Sequence, residues 1–171
     1  MSEVSIIPYT PAYSSELLRL LLELHNNYFS KHASAQLQEL KQEKNINKSY
    51  EYYISLLNDS VLHEKKKGDN WKVFLAISPA NKVVGFIVGS TEHYGDYVYS
   101  EVGKFEDWYV EDEFRNKGVG KKLYHELENW FRKKGCQQII SDTWNGYEAS
   151  IEAHKELGFF VSGISFSKKL E

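Results

Sequence analysis

An α/β (mixed α+β) domain built on one central, mostly antiparallel sheet is the fold class that this sequence predicts. Three observations carry it. Up to Lys67 the chain is helix-prone after one short strand-like opening. From Trp71 to Val110 it becomes a meander of β-branched and aromatic runs. Beyond Val110, helix and strand patterns alternate to the end. The 171 residues suit a single domain, residues 1–171, with one sizeable core.

The elements follow in order. Val4–Pro8 opens as a short strand. Ser14 and Ser15 then precede Leu17, Leu18, Leu21, Leu22 and Leu24, a capped start followed by a helix-period apolar stripe. Ser34–Lys67 is polar and helix-prone, with Tyr50, Tyr52, Tyr53, Ile54, Leu56 and Leu57 as its apolar content; one or two helices over the top of the domain are expected. Trp71–Ile77 and Lys82–Thr91 are strand runs joined by Ser78-Pro79-Ala80-Asn81, which is turn chemistry, so they form a hairpin. Tyr97–Val110 is a third long run of strand formers. Val119, Leu123, Leu127, Trp130 and Phe131 then line one helix face, which Gly135 ends. Gln138–Thr143 is strand-like, Asn145–Leu157 helical and Phe159–Ser167 strand-like again.

Composition excludes several classes. The formal net charge of −3 argues against a nucleic-acid partner, because phosphate backbones are held by clustered positive charge. The basic run Lys65–Lys67 reads as a solvated helix end. The Leu17–Leu24 stretch is interrupted by Arg19 and Glu23 and is too short to span a bilayer. MSEVSIIPYT lacks the layout of a signal peptide, so a cytoplasmic protein with no membrane partner is expected. Cys136 is the lone cysteine; it reads as a small buried residue rather than a nucleophile. His25, His32, His63, His93 and His125 show no metal-ligand spacing, and no metal is expected.

The most informative segment is Val110-Glu-Asp-Glu-Phe-Arg115-Asn116-Lys117-Gly118-Val119-Gly120-Lys121-Lys122-Leu123. A strand runs into a short loop and then a helix whose first turn holds two glycines. A helix N-terminus leaves amides unpaired and carries about half a positive charge. Glycine lets a bulky anion approach it, and Arg115, Lys117, Lys121 and Lys122 add cations. The chemistry suits a phosphate. A P-loop would need Gly at Arg115 and a hydroxyl at Lys122, and a dinucleotide fingerprint would need Gly at Leu123; neither fits.

Arg115-x-x-Gly118-x-Gly120 resembles the coenzyme A pyrophosphate motif of the GNAT superfamily of N-acetyltransferases. Glu106-Asp107-Trp108-Tyr109-Val110 looks like that family's fourth strand. Ala149–Phe159, ending in Leu157-Gly158-Phe159, looks like its late helix. The resemblance runs from about Val83 to Phe160. It implies a sheet splayed between its fourth and fifth strands, with helices on both faces and acetyl-CoA as cosubstrate in the split. Arg115, Asn116, Lys117, Gly118, Val119, Gly120, Lys121 and Lys122 would hold the pyrophosphate, and the main chain of Tyr109 and Val110 the pantetheine.

Acetyl transfer from a thioester to an amine needs a base, because an amine of pKa ~10.4 is almost wholly protonated at neutral pH. It also gains from an acid for the departing thiolate. Glu106 and Asp107 supply carboxylates; in a regular strand only one would face the site, and a bulge, usual in the family's fourth strand, would relax that. By resemblance to members acting on polyamines and aminoglycosides, Glu106 is the expected base and Asp107 a second cation contact. Tyr147, Ser150, Ile151 and His154 share one helix face. The resemblance makes His154, at a position where most members have tyrosine, the candidate acid, and Tyr147 and Ser150 cofactor contacts. Asn145, with Glu148, reads as an N-cap. The expected acceptor is a small cationic amine, with a protein or peptide amine as the alternative; a non-catalytic acyl-CoA-binding module and a nucleotide-binding protein are the rivals. A homodimer is a further expectation.

Overall fold

The computed structural model describes residues 3–29, 31, 33–40, 45–62, 70–143 and 146–168. Strand β1 (Ser5–Pro8) leads through a single 3-10 turn (Pro11–Tyr13) into α1 (Ser14–Leu24), which continues as a π-helical turn over His25–Phe29. Two helices follow, α2 (Ala35–Leu40) and α3 (Ile46–Leu62). Then come β2 (Trp71–Ile77), β3 (Val83–His93) and β4 (Glu101–Val110), the helix α4 (Val119–Lys133), β5 (Gln138–Ser141) and α5 (Glu148–Glu156).

The strands form one mixed sheet in the order β1-β2-β3-β4-β5. The first four pair antiparallel, as short connections allow, whereas β4 and β5 pair parallel across the crossover made by α4. Each face is covered. On one side Leu17, Leu20 and Leu21 of α1 and Ile54 and Leu57 of α3 pack with Val73, Leu75, Phe86, Val88 and Tyr109. On the other, Leu123, Leu127 and Phe131 of α4 pack with Phe74, Ala76, Val84, Ile87 and Phe105. The α4 stripe lies so close to the sheet that a Cβ on Gly103 would sit 2.6 Å from the Phe131 ring. Phe131 is almost fully buried there, and truncating such a side chain to alanine costs about 3–5 kcal/mol.

Several expectations are revised. Phe159–Ser167 forms no strand: after Gly158, at φ +89°, the segment runs without ladder partners among the described residues, because strand propensity without a neighbouring edge yields no hydrogen bonds. The long third run starts its strand only at Glu101; Gly95, at φ +46°, turns the hairpin and leaves Tyr97, Val98 and Tyr99 exposed at its tip. Ser14 is the first residue of α1, its hydroxyl donating to the Pro11 carbonyl at 2.7 Å rather than capping the helix. Asn145, His32, His63 and Lys65–Lys67 lie outside the described residues; α5 begins after Tyr147, which makes no side-chain cap.

Candidate functional site: a split sheet, a bared helix tip and a carboxylate-floored cavity

β4 pairs with β5 only from Val102↔Gln138 to Phe105↔Ser141, yet β4 runs on to Val110. From Glu106 onward its outer edge faces a cleft, so the sheet is splayed where the family resemblance implied. On its other edge β4 follows β3, with one interruption: Val88 pairs with Asp107 and Gly89 with Phe105, leaving Glu106 as the extra residue of a bulge. The bulge reverses the alternation. Phe105 and Trp108 join the α4-side core, while Glu106 and Asp107, neighbours in sequence, both turn to the opposite side and line one cavity.

That cavity has a volume of about 480 Å³. Its floor is Phe105–Trp108; its roof comes from α1, the π-helical turn and α3, with Tyr28, Tyr50 and Tyr53 among the lining residues. Its far wall is Ser141–Thr143 of β5 and its extension, with Tyr147, Ser150 and His154. Tyr28, Tyr50 and Tyr53 thus line the cavity and also pack with the core on that side of the sheet.

The two carboxylates differ in their surroundings. Ser90 donates to Glu106 Oε1 at 2.7 Å, and Lys104 Nζ lies 3.1 Å from Oε2. Asp107 accepts from the Tyr53 hydroxyl, which lies 3.0 Å from Oδ2. Burial pushes its carboxyl up from 3.8 to about 6; the Tyr53 bond and Lys104 oppose the rise and Glu106 adds to it. Burial and the adjacent Asp107 carboxylate in turn raise the Tyr53 phenol well above its ordinary value.

His154 is held at both ring nitrogens. Nδ1 lies 2.7 Å from the Ser150 carbonyl, which can only accept, so Nδ1 carries a proton. Nε2 lies 2.9 Å from Ser141 Oγ, which is also 3.2 Å from the Phe105 carbonyl. The ring stacks on Phe105 at 5.4 Å. Ser141 thus sits at the last paired rung of β4 and β5, between the imidazole and the cleft. Thr143 donates to Ser150 Oγ at 2.7 Å. Tyr147 packs on Tyr28 at 5.0 Å, and burial raises its phenol.

At the other end of the cleft, Gly118 stands at the N-cap of α4, and its φ of +77° favours glycine. The first helical hydrogen bond runs from the Lys122 amide to the Gly118 carbonyl at 3.0 Å, so the amides of Val119, Gly120 and Lys121 have no intrahelical acceptor. A Cβ on Gly118 would meet no atom within 4 Å, whereas one on Gly120 would sit 2.5 Å from Trp108 Cζ2. Gly118 therefore leaves the tip open, and Gly120 admits the indole. Trp108 Nε1, beside Gly120, is buried without an acceptor among the described residues. The cations are arranged unequally. Arg115 is turned back on its own loop, with Nε donating to the Val110 carbonyl at 2.8 Å, an ion pair to Asp112 at 2.7 Å, and the guanidinium 4.9 Å from the Tyr28 ring. Asn116 takes φ +57° in the same loop. Lys122 pairs with Glu3, and Lys117 lies 5.7 Å from the Phe114 ring. An open helix tip with free amides and nearby lysines fits a diphosphate.

The sequence model of the Acetyltransferase (GNAT) family matches residues 23–159. The chain belongs to this family. Among its relatives are an aminoglycoside N(6′)-acetyltransferase type 1 of Klebsiella aerogenes, 38% identical over 88 residues (51% of this chain, 58% of that protein), and an L-methionine sulfoximine/L-methionine sulfone acetyltransferase of Pseudomonas aeruginosa, 29% identical over 113 residues (64% and 63%). The match spans little more than half the length of the aminoglycoside relatives. Among solved structures, aminoglycoside N-acetyltransferase AAC(6′)-Iy in complex with CoA superposes with a TM-score of 0.73 at 21% identity, over 99% of this chain and 96% of that one. At that identity the likeness speaks for the fold. Ser90 and Ser141 were not singled out by sequence reasoning as site residues, and only the polar end of the β5 run, Ser141–Thr143, carried a signal for one of them; Tyr53 stood among first-half aromatics that could roof an acceptor pocket but read more readily as core.

Proposed function

We propose that this GNAT-family chain is an acetyl-CoA-dependent N-acetyltransferase that moves an acetyl group directly onto a primary amine of a small cationic molecule, polyamine- or aminosugar-like. The observation that carries the reading is the β4 bulge, which turns both Glu106 and Asp107 into the cavity at the mouth of the split sheet. A carboxylate pair there attracts an ammonium group and takes its proton. A cavity of about 480 Å³ with a pair of carboxylates on its floor suits a small cationic acceptor. The aminoglycoside N(6′)-acetyltransferases among the relatives support the aminosugar end of the range.

In this reading the free amides of Val119, Gly120 and Lys121, with Asn116, Lys117, Gly118 and Lys122, hold the pyrophosphate. Arg115 shapes the loop, the main chain of Tyr109 and Val110 pairs with the pantetheine amides, and Tyr147 and Ser150 line its path. Bound acetyl-CoA supplies an acetyl group activated as a thioester. Asp107, with its raised carboxyl, is the base, directly or through a water; Glu106, already bonded by Ser90 and Lys104, is the cation contact, a reversal of the order expected from sequence. In the imidazolium form, which carries a second proton on Nε2, His154 passes that proton to Ser141 Oγ while the serine's own proton goes to the departing thiolate. Cys136 lies on the α4 side and does not line the cavity, which supports direct transfer without a cysteine relay. No metal, nucleic acid or membrane enters the reading, and the working form is a cytoplasmic homodimer.

The test is incubation with acetyl-CoA and a panel of polyamines, aminosugars, amino acids and peptides, following free thiol and product mass. Thiol release with a cationic small amine is the expected result. Tight coenzyme A binding without release for any amine would point to a sensor module, and stronger stabilisation by ATP or NAD than by coenzyme A to a nucleotide-binding protein.

A further inference from the structure

A lysine stands among the carboxylates around the cavity. Lys104 pairs with Ser90 of β3 and with Ile140 of β5, and residues paired across a ladder project to the same face of the sheet. Both Ser90 and Lys104 reach Glu106: the Ser90 hydroxyl donates to Oε1 at 2.7 Å, and Lys104 Nζ lies 3.1 Å from Oε2. Each oxygen of Glu106 thus has a donor, and its charge is matched by a side chain of its own strand. The pair is partly withdrawn from water, with the Lys104 side chain 31% and the Glu106 side chain 17% exposed, so its charges are screened less than those of a surface pair.

More than one group draws Lys104 inward. Its hydrogen bond to Glu106 raises the ammonium above its ordinary value; burial opposes the rise, and the charges of Glu106, Glu92 and Asp142 add to it. Glu92 is steadied by the Tyr94 hydroxyl, which donates to Oε2 at 2.7 Å. Asp142 lines the cavity together with Glu106 and Asp107. An ammonium placed among these groups is a cation already bound, carried on a flexible four-carbon stem. An acceptor amine that docks on Asp107 therefore finds the neighbouring carboxylate, Glu106, neutralised and a like charge beside it.

Taking the cavity as the acceptor site proposed above, we propose that Lys104 is a specificity-determining residue for acceptor charge: its ammonium stands where a second ammonium group of the acceptor would pair with Glu106, and so it limits the advantage of a diamine over a monoamine of the same length. Like charges at close range are a means of discriminating between ligands. The reacting amine sits at Asp107, away from this contact, so the effect falls on acceptor binding and KM rather than on kcat. A neutral side chain of the same length leaves Glu106 and Asp142 to hold the second ammonium.

The experiment compares 1-aminobutane with 1,4-diaminobutane, in wild type, Lys104→Met and Lys104→Arg. Binding to the protein saturated with coenzyme A is measured by calorimetry, and KM and kcat by thiol release from acetyl-CoA. In Lys104→Met the preference for the diamine over the monoamine should rise about tenfold, in binding and in KM. Lys104→Arg, which keeps the charge, should return it to near the wild-type value. Lys104 also holds the Asp107 carboxyl down, but a change there acts on both amines and cancels in the ratio. Lys104→Gln serves if the methionine variant does not fold. A diamine preference that stays the same in the neutral variant overturns the proposal, as does one that shifts as far in Lys104→Arg as in Lys104→Met. Thiol release with no amine, while coenzyme A binds, would instead remove the acetyltransferase reading; the calorimetric comparison needs no turnover and decides the role of Lys104 by itself.

Discussion

Replacing Asp107 by asparagine should stabilise the protein at neutral pH while removing its activity. In the folded state the Asp107 carboxyl is raised from 3.8 to about 6, chiefly by burial. A folded state that binds its proton more tightly than the unfolded chain gains stability from that group below the unfolded pKa, and loses the gain as pH rises through the folded pKa. Above about pH 6 the ionised carboxylate is therefore a liability. The rise from 3.8 to about 6 corresponds to about 3 kcal/mol. The carboxylate also opens on the cavity and is only half-buried, which lowers the expected figure to about 2 kcal/mol after allowance for solvent. The amide keeps an acceptor for the Tyr53 hydroxyl and nearly the same shape, so packing changes little. Urea denaturation of both proteins at pH 4 and pH 7.5 isolates the effect: the Asp107→Asn variant should be more stable than wild type at the higher pH and close to it at the lower. Thiol release should fall by two orders of magnitude or more, in line with loss of a general base. A variant that is less stable at pH 7.5, or whose stability difference is the same at both pH values, would refute the burial argument; one that gains stability and keeps its activity would leave that argument standing and remove Asp107 as the base.

Tyr53→Phe takes away the hydrogen bond that holds the Asp107 carboxyl down, with Glu106 and Lys104 still facing it. The acidic limb of the kcat/KM profile should then move upward by about one pH unit, and an unmoved limb would detach Tyr53 from the base. Gly118→Ala meets no atom, so it should lower stability by about 1 kcal/mol through its positive φ alone. Gly120→Ala overlaps Trp108 and should cost about 1–3 kcal/mol, measured by thermal unfolding, with coenzyme A stabilisation reduced as the indole shifts. Glu111 accepts from Arg19 at 2.7 Å and from Lys82 at 2.8 Å. Burial would raise its carboxyl, but those bonds outweigh it and hold it below its ordinary value. Its stabilisation is present above the unfolded pKa and is lost on acidification, so Glu111→Gln should be destabilising by about 2 kcal/mol at pH 7 and progressively less so as pH falls below about 4.

What could be seen in the sequence was set by local rules. The stripe Val119, Leu123, Leu127 and Phe131 has one period and one burial solution, so α4 and its face were legible. So was its beginning at two glycines, although Gly120 answers to a tryptophan ring brought in by β4. What escaped was fixed by partners distant in the chain. Nothing in Lys104-Phe105-Glu106-Asp107 says which residue slips out of register; the bulge exists because β3 offers one residue fewer there, and only then do two adjacent carboxylates share a face. Ser90, Tyr53 and Ser141 join the site through that register and through the roof helix.

The failed strand at 159–167 belongs to the same lesson from the other side. Its alternating pattern is as regular as that of β4, yet β4 has β3 beside it and this segment has no neighbour among the described residues. Strand propensity describes how well a pleated surface packs against something, so a regular pattern lying exposed carries information about what is missing. The alternation in residues 159–167 therefore describes a surface suited to packing, and among the described residues it meets no strand to pair with.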